Sequence, residues 1–281
     1  MPEIQIPPGL VVVTTYGSIT QQTAQSLMEM RSFSEAQGLR NIKYSMIPGT
    51  LVEKARNEAV RMMLRENFGW ICMIDGDMQF DPNSLVAPAD QRAGLLQVAF
   101  GEQPHWDVLG AYCPLRGEMA IPTIDSGTGT WESHYPNSGV IPVMRTGGAF
   151  LLVKRRVFEG MADPWFRMRV PARPIDFMAE VDNYCRMKFN GANPFRHIPG
   201  DYWEKLEQCA KDDPSAVQFT PVEVGEDSGF CDRAKMAGFQ LAVHTGVVCG
   251  HVEQRVTTWA DHLAAMQKLE QNQRYAVGLL A

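Results

Sequence analysis

The chain has 281 residues, 45% of them hydrophobic and 21% charged, with a formal net charge of −6. That length and balance suit one α/β domain or two small ones and exclude general disorder. The acidic total argues against a surface coated in positive charge for nucleic acid, without excluding a local basic site.

The elements follow in chain order. Residues 10–15 (LVVVTT), after Pro7-Pro8-Gly9, form a β-branched run that reads as a buried first strand. Residues 20–37 read as an amphipathic helix with Ala24, Leu27, Met28 and Arg31 at helical spacing, ending near Gly38. A second strand is expected at 42–47, closed by Pro48-Gly49. Residues 51–66 are strong helix formers, with Leu51, Val52, Ala55, Ala59, Met62 and Met63 on one stripe. Trp70–Ile74 is an apolar strand that stops abruptly at Asp75-Gly76-Asp77, and Asp81-Pro82 is a cap-and-first-turn pair expected to open another helix. Residues 106–112 read as the next strand. Alternation of this kind predicts an α/β fold with a mostly parallel sheet covered by helices.

The middle of the chain differs. Residues 117–139, rich in Gly, Ser, Thr and Pro, read as loops or a short hairpin. Residues 140–153 hold two apolar runs flanking Arg145-Thr146-Gly147-Gly148, followed by a helix-like RRVFEGM. Residues 163–221 carry seven prolines and too little periodicity to assign elements; a stretch of that kind inside a compact enzyme is usually functional. Glu226-Asp227-Ser228 opens a helix closed by Gly238. Residues 239–243 and 246–249 read as strands ending at Gly250-His251, and a last helix is expected from about 258. Neither an apolar run long enough for a membrane span nor a signal peptide is seen. The six cysteines form no C-x-x-C pair and read as reduced thiols of a cytoplasmic protein.

The sharpest chemical feature is Asp75-Gly76-Asp77 at the end of an apolar strand. Two carboxylates one residue apart are costly at the edge of a core unless a cation or hydrogen-bond donors satisfy them. Strand carboxyl ends are also where ligands bind in sheets of this class. Oxygen ligands of this type suit Mg²⁺ or Mn²⁺, often shared with phosphates. An acidic turn with no ligand is the alternative. His244, Cys231 and Cys249 lack the spacing of a zinc site, and His105, His134 and His197 stand alone.

Six segments in order, VVVTTYGSIT, EKARNEAVRMM, WICMIDGDMQFDP, RTGGAFLLVKRRVFE, VGEDSGFCDRAKMAGFQLAV and VVCGH, resemble the GT-A glycosyltransferases, especially the family-2-like group and its virus-encoded, bacteriophage members. They cover most of residues 10–251. The resemblance implies one Rossmann-like GT-A domain over 1–281. Residues 1–112 would be the nucleotide-sugar half and 113–251 the acceptor half, with a loop-rich insertion over about 163–221. Residues 252–281 would form a C-terminal helix. It implies that Asp75 holds the donor ribose or helps with the metal, and that Asp77 and His251 ligate Mn²⁺ or Mg²⁺ on the diphosphate of a UDP-sugar. Thr14, Thr15, Tyr16 and Arg56 would lie near the nucleotide, and Gly147-Gly148 near the donor sugar. Asp227, with Glu226 as the competing choice, would take the acceptor proton in an inverting transfer. Plain alternatives stand beside each role: helix capping for the acidic pair, a solvated charge pattern for Arg56, and ordinary turns for the threonines and glycines.

Charge is unevenly spread. Residues 145–196 hold ten Lys and Arg against five Asp and Glu, interleaved with Trp165, Phe166, Phe177, Tyr184, Phe189 and Phe195. Arg155, Arg156, Arg167 and Arg169 are therefore candidate acceptor contacts. Basic and aromatic groups together fit a polyanionic acceptor, and the resemblance to virus-encoded members implies DNA bearing hydroxymethylated pyrimidines as one such acceptor. A solvated basic face serving a carbohydrate or small acceptor is the alternative. A nucleotidyltransferase is disfavoured because TTYGSIT stands where a Gly-rich phosphate loop would follow the first strand. No G-x-G-x-x-G supports a dehydrogenase, and intact acidic residues argue against a decayed binding protein.

Overall fold

The computed structural model describes residues 4–15, 17–48, 51–88, 91–114, 122–127, 139–167 and 225–252. Strand β1 (Gly9–Thr15) is followed by α1 (Gln21–Ala36), β2 (Ile42–Pro48), α2 (Val52–Arg65), β3 (Trp70–Asp75) and β4 (Met78–Phe80). A short α3 (Leu95–Gln97) runs into a π-helical turn at Val98–Glu102. Then come β5 (Val108–Tyr112), β6 (Ile124–Asp125), β7 (Val140–Pro142), β8 (Arg145–Thr146), β9 (Phe150–Lys154), α4 (Arg155–Glu159), α5 (Glu226–Met236) and β10 (Leu241–His251).

Eight strands form one mixed sheet in the order β2-β1-β3-β9-β5-β10-β4, with β7 also on β10, while β6 and β8 make a separate two-stranded ribbon. The pairs β1–β2, β1–β3 and β5–β10 are parallel. Strand β9 runs antiparallel between β3 and β5. The α/β expectation is met, and the sheet draws strands from both 1–112 and 113–251. The continuous apolar runs have a simple cause: the central strands are buried on both faces, so both sets of alternating side chains must be apolar. Val11, Val13, Cys72, Ile74 and Leu152 point into one core with Met30 of α1. Leu10, Val12, Ile71, Met73 and Val153 point into the other, with Ala59, Val60 and Met63 of α2 and Phe230 of α5. Each such side chain contributes roughly 1.5–3 kcal/mol by leaving water.

Four expectations are corrected. Helix α1 buries Thr23, Ser26, Met30 and Ser34, not the stripe through Leu27 and Met28, and Met28 is 64% exposed. Two hydroxyls of this small, polar face have backbone partners: Thr23 donates to the Gly76 carbonyl and Ser26 accepts from the Phe80 N–H. Asp81-Pro82 opens a turn, not a helix; the Asp81 carbonyl accepts from both the N–H and the hydroxyl of Ser84. Leu51, the residue before α2, is exposed, while Arg56 and Asn57 within the helix are buried. Residues 241–251 are a single strand with a register shift between His244 and Val248, which lets one strand pair β5 and then β4. The expected C-terminal helix and most of the 163–221 insertion lie outside the described residues. Among those described, no helix is long and apolar enough to cross a membrane.

Candidate active site

Because β1 and β3 are parallel and in register, Thr14 and Asp75 end side by side. Antiparallel β9 begins next to them, so Gly147-Gly148-Ala149 arrive at the same end of the sheet, and the Asp75 N–H donates to the Ala149 carbonyl. The Gly76 N–H donates to Thr14, and the Gly76 carbonyl accepts from the Thr20 N–H, which anchors the acidic turn to the start of α1. A Cβ on Gly76 would sit 2.9 Å from the Thr15 side chain, so the glycine serves close packing of the turn against β1.

The turn leads straight into β4, which pairs with the end of β10 so that His251 stands opposite Met78. The Val252 N–H donates to the Asp77 carbonyl at 2.7 Å. Asp77 and His251 therefore come from segments far apart in the chain and meet at one mouth. His251 Nδ1 lies 2.8 Å from the Pro114 carbonyl. A carbonyl only accepts, so Nδ1 carries the proton and Nε2 the lone pair, the tautomer and orientation that metal-ligating histidines commonly show.

On the opposite wall, α5 starts at Glu226 with Gly225 as its N-cap and no side-chain cap. Asp227 does not cap through the usual reach; its Oδ1 accepts from the Ser228 N–H at 2.7 Å and its Oδ2 from the Gly148 N–H at 3.1 Å. Arg56 rises from α2 between the two walls. Its Nη2 donates to Asp75 Oδ1 at 3.0 Å, and its Nη1 to Glu226 Oε1 at 2.6 Å; Thr14 adds a hydroxyl to Asp75 Oδ1 at 3.1 Å. Arg56 is 2% exposed. Burial alone would lower its pKa, but Asp75, Glu226 and Asp227 outweigh that and hold it above the usual arginine value. Burial pushes the Glu226 carboxyl up, while Arg56 opposes the rise.

Together these groups line a cavity of about 420 Å³, within the usual range for small-molecule sites. Its walls carry Thr14, Thr15, Ser18, Thr20, Arg56, Asp75, Asp77, Thr123, Gly147, Gly148, Glu226, Asp227 and His251. Counting His251 as neutral, the charged lining groups among the described residues are four carboxylates against one guanidinium, a formal excess of three negative charges. No three His, Cys, Asp or Glu side chains among the described residues converge as a ready-made metal site. The donor set Asp77 and His251 nevertheless suits a divalent ion that takes its remaining ligands from phosphate oxygens and water.

Most of the residues singled out in the sequence are brought together here: Thr14, Thr15, Arg56, Asp75, Asp77, Gly147, Gly148, Glu226, Asp227 and His251. Tyr16 and Arg169 lie outside the described residues. The described acceptor candidates, Arg155, Arg156 and Arg167, do not line this pocket. Arg155 and Arg156 follow the far end of β9, where Lys154 pairs in register with Trp70 at the start of β3, the end of the sheet opposite Asp75. There Arg155 pairs with Glu159, and Arg156 with the buried Asp107. Arg167 is exposed and does not line the pocket. Arg145 is held by Asp232 and Asp125, and Trp165 and Phe166 belong to the hydrophobic core, Phe166 stacked on Phe230 at 4.5 Å. Arg145, Arg155, Arg156, Trp165 and Phe166 thus have structural partners of their own in the described part of 145–196. Ser18, Thr20 and Thr123 were missed. The first two were signalled only by following β1, and Thr123 by nothing local.

No protein-family profile and no curated protein sequence matches the chain. Among solved structures, the fold overlaps A197 from STIV at 14% identity, covering 88% of this chain and 86% of that one, with a TM-score of 0.49. It overlaps GalNAc-T7 with UDP, GalNAc and Mn²⁺ at 9% identity, covering 89% of this chain and 44% of that one, TM-score 0.42. A third is a glycosyltransferase involved in the glycosylation of the major capsid of PBCV-1, at 11% identity, covering 92% and 100%, TM-score 0.32.

Proposed function

We propose that the chain is a metal-dependent GT-A glycosyltransferase that moves a sugar from a UDP-sugar or related nucleotide sugar to an acceptor hydroxyl with inversion. The observation that carries this reading is the pocket itself. An acidic strand-end turn, a correctly oriented imidazole and an acidic helix start, from three distant segments, surround a cavity of ligand size with three excess negative charges. In this reading both halves of the chain form one domain around that cavity.

Asp77 and His251 would hold Mn²⁺ or Mg²⁺, which when bound supplies the positive charge needed beside the leaving diphosphate. The threonine hydroxyls at the end of β1 face the nucleotide. Asp227 is the base. Both its oxygens are aimed by backbone N–H groups, whereas a Glu226 oxygen is taken up by the Arg56 guanidinium. The acceptor hydroxyl loses its proton to Asp227 as its oxygen bonds to the anomeric carbon and the bond to the diphosphate breaks. The free, buried thiols Cys72, Cys113, Cys231 and Cys249 accord with a reducing, cytoplasmic setting.

The test is a thermal-shift panel of nucleotide sugars with and without Mn²⁺, followed by mass spectrometry on carbohydrate and hydroxymethylpyrimidine-DNA acceptors. Metal-dependent stabilisation by one nucleotide sugar and a mass gain of one glycosyl unit are expected. No stabilisation by any nucleotide would refute the reading.

A further inference from the structure

We infer that Arg56 is a positioning residue that locks the start of α5, and with it Asp227, against the donor-side carboxylate Asp75. The reaction side of this inference rests on the glycosyltransferase reading; the anchoring does not.

Three elements meet at one guanidinium. Asp75 is 19 positions from Arg56 and Glu226 is 170 positions away, yet each takes a different terminal nitrogen of the same side chain. That side chain is 3% exposed, and its Nε is buried without a hydrogen-bond partner among the described residues. Arg56 therefore sits in the wall and is not placed to bind a phosphate or base, the role expected of it from sequence. A Cβ on Gly148 would lie 2.2 Å from Arg56 Nη1, so the glycine is what admits the guanidinium. With the loop that close, the Gly148 N–H reaches Asp227. Next along α2, Asn57 holds Phe166 by both backbone groups, at 2.7 and 2.9 Å, and the Phe166 ring lies 5.8 Å behind the guanidinium. The cation is thus braced from the rear and forked at the front. A lysine carries one point charge on a flexible stem and cannot reproduce two contacts held by separate nitrogens.

Arg56→Lys and Arg56→Met are compared with the wild type, the lysine variant guarding against loss of folding. Amide hydrogen exchange is followed over residues 225–231 without ligand. Calorimetric UDP–Mn²⁺ affinity and kcat are measured with the nucleotide sugar that the panel identifies. Exchange at 225–231 is expected to speed up about tenfold or more in both variants. Turnover should fall by about 100-fold, since small misplacements of catalytic groups cost that much, while UDP affinity falls far less. Guanidinium ion should restore part of the turnover of Arg56→Ala. Unchanged exchange overturns the anchoring, and affinity falling in step with kcat makes Arg56 a donor ligand instead. If no nucleotide sugar is turned over, the glycosyltransferase reading fails while the exchange result still decides the anchoring.

Discussion

Gly148→Ala is the most discriminating single change in this molecule, because its effect follows from distances alone. The added Cβ would stand 2.2 Å from Arg56 Nη1 and 2.5 Å from its Cζ, more than 1 Å inside ordinary contact. A flexible side chain would swing away. This one cannot, since it is buried and pinned at both ends by Asp75 and Glu226. Either the guanidinium leaves one carboxylate or the glycine loop retreats from Asp227. Breaking a buried ion pair from one side costs about 3–5 kcal/mol. For a chain of this size that corresponds to a fall in Tm of roughly 6–20 °C. Urea unfolding followed by circular dichroism measures the loss. Gly250→Ala is the control: among the described residues nothing lies within 4 Å of its Cβ position, and a change that meets no neighbour should stay within about 0.5 kcal/mol. Equal stability of the two variants would show that Arg56 is not held as described.

Two further outcomes bear on the acidic helix start. Asp227→Asn should keep UDP–Mn²⁺ affinity by calorimetry and cut kcat by about 10²–10⁴-fold, the usual worth of a positioned base; full activity would move the base elsewhere. Glu226 predicts a pH effect on stability. Burial holds its folded pKa above the ordinary glutamate value, so the folded state binds its proton more readily than the unfolded chain does. Its contribution is therefore largest below the unfolded value and declines as pH rises through the folded one. The stability of the wild type relative to Glu226→Gln should fall across that interval and then level off. A difference that grows with pH would contradict the assignment.

How far these features could be read from the chain depends on the range of the contacts behind them. Strands β1, β3 and β9 were visible because double-sided burial leaves an uninterrupted apolar signal, as in Leu10–Val13 and Phe150–Val153. The acidic turn was visible because two carboxylates after such a run have no apolar explanation. Helix α1 misled: its buried face is made of Thr23, Ser26 and Ser34, two of whose hydroxyls are satisfied by backbone groups of β4 and its preceding turn, and hydropathy periodicity cannot register that. Asp81-Pro82 carried a sound capping signal, but pairing of β4 with β10 set the path of the chain there. Arg56 stood in a charged run, Glu53-Lys54 before it and Glu58 after, that looks solvated. Only the partner 170 positions away makes it a buried cation.

That same cation sharpens the argument for a metal. A pocket for a diphosphate ordinarily presents positive charge, and Arg56 is the one formal cation among the described residues lining this one. Its two terminal nitrogens face carboxylates, so the remaining lining charge is negative. Bringing one phosphate charge to about 4 Å from one carboxylate costs about 4 kcal/mol at an effective dielectric near 20, enough to abolish useful affinity. On the proposed function, nucleotide binding here is expected to be linked to a cation. Mn²⁺ should raise the affinity for UDP strongly and for uridine, which has no phosphate, hardly at all. Asp77→Asn should reduce the Mn²⁺-linked part for UDP and leave uridine unchanged, as read by calorimetry. Tight UDP binding in the presence of a chelator would show that the lining charges are neutralised in some other way, and the metal role of Asp77 and His251 would fall with it.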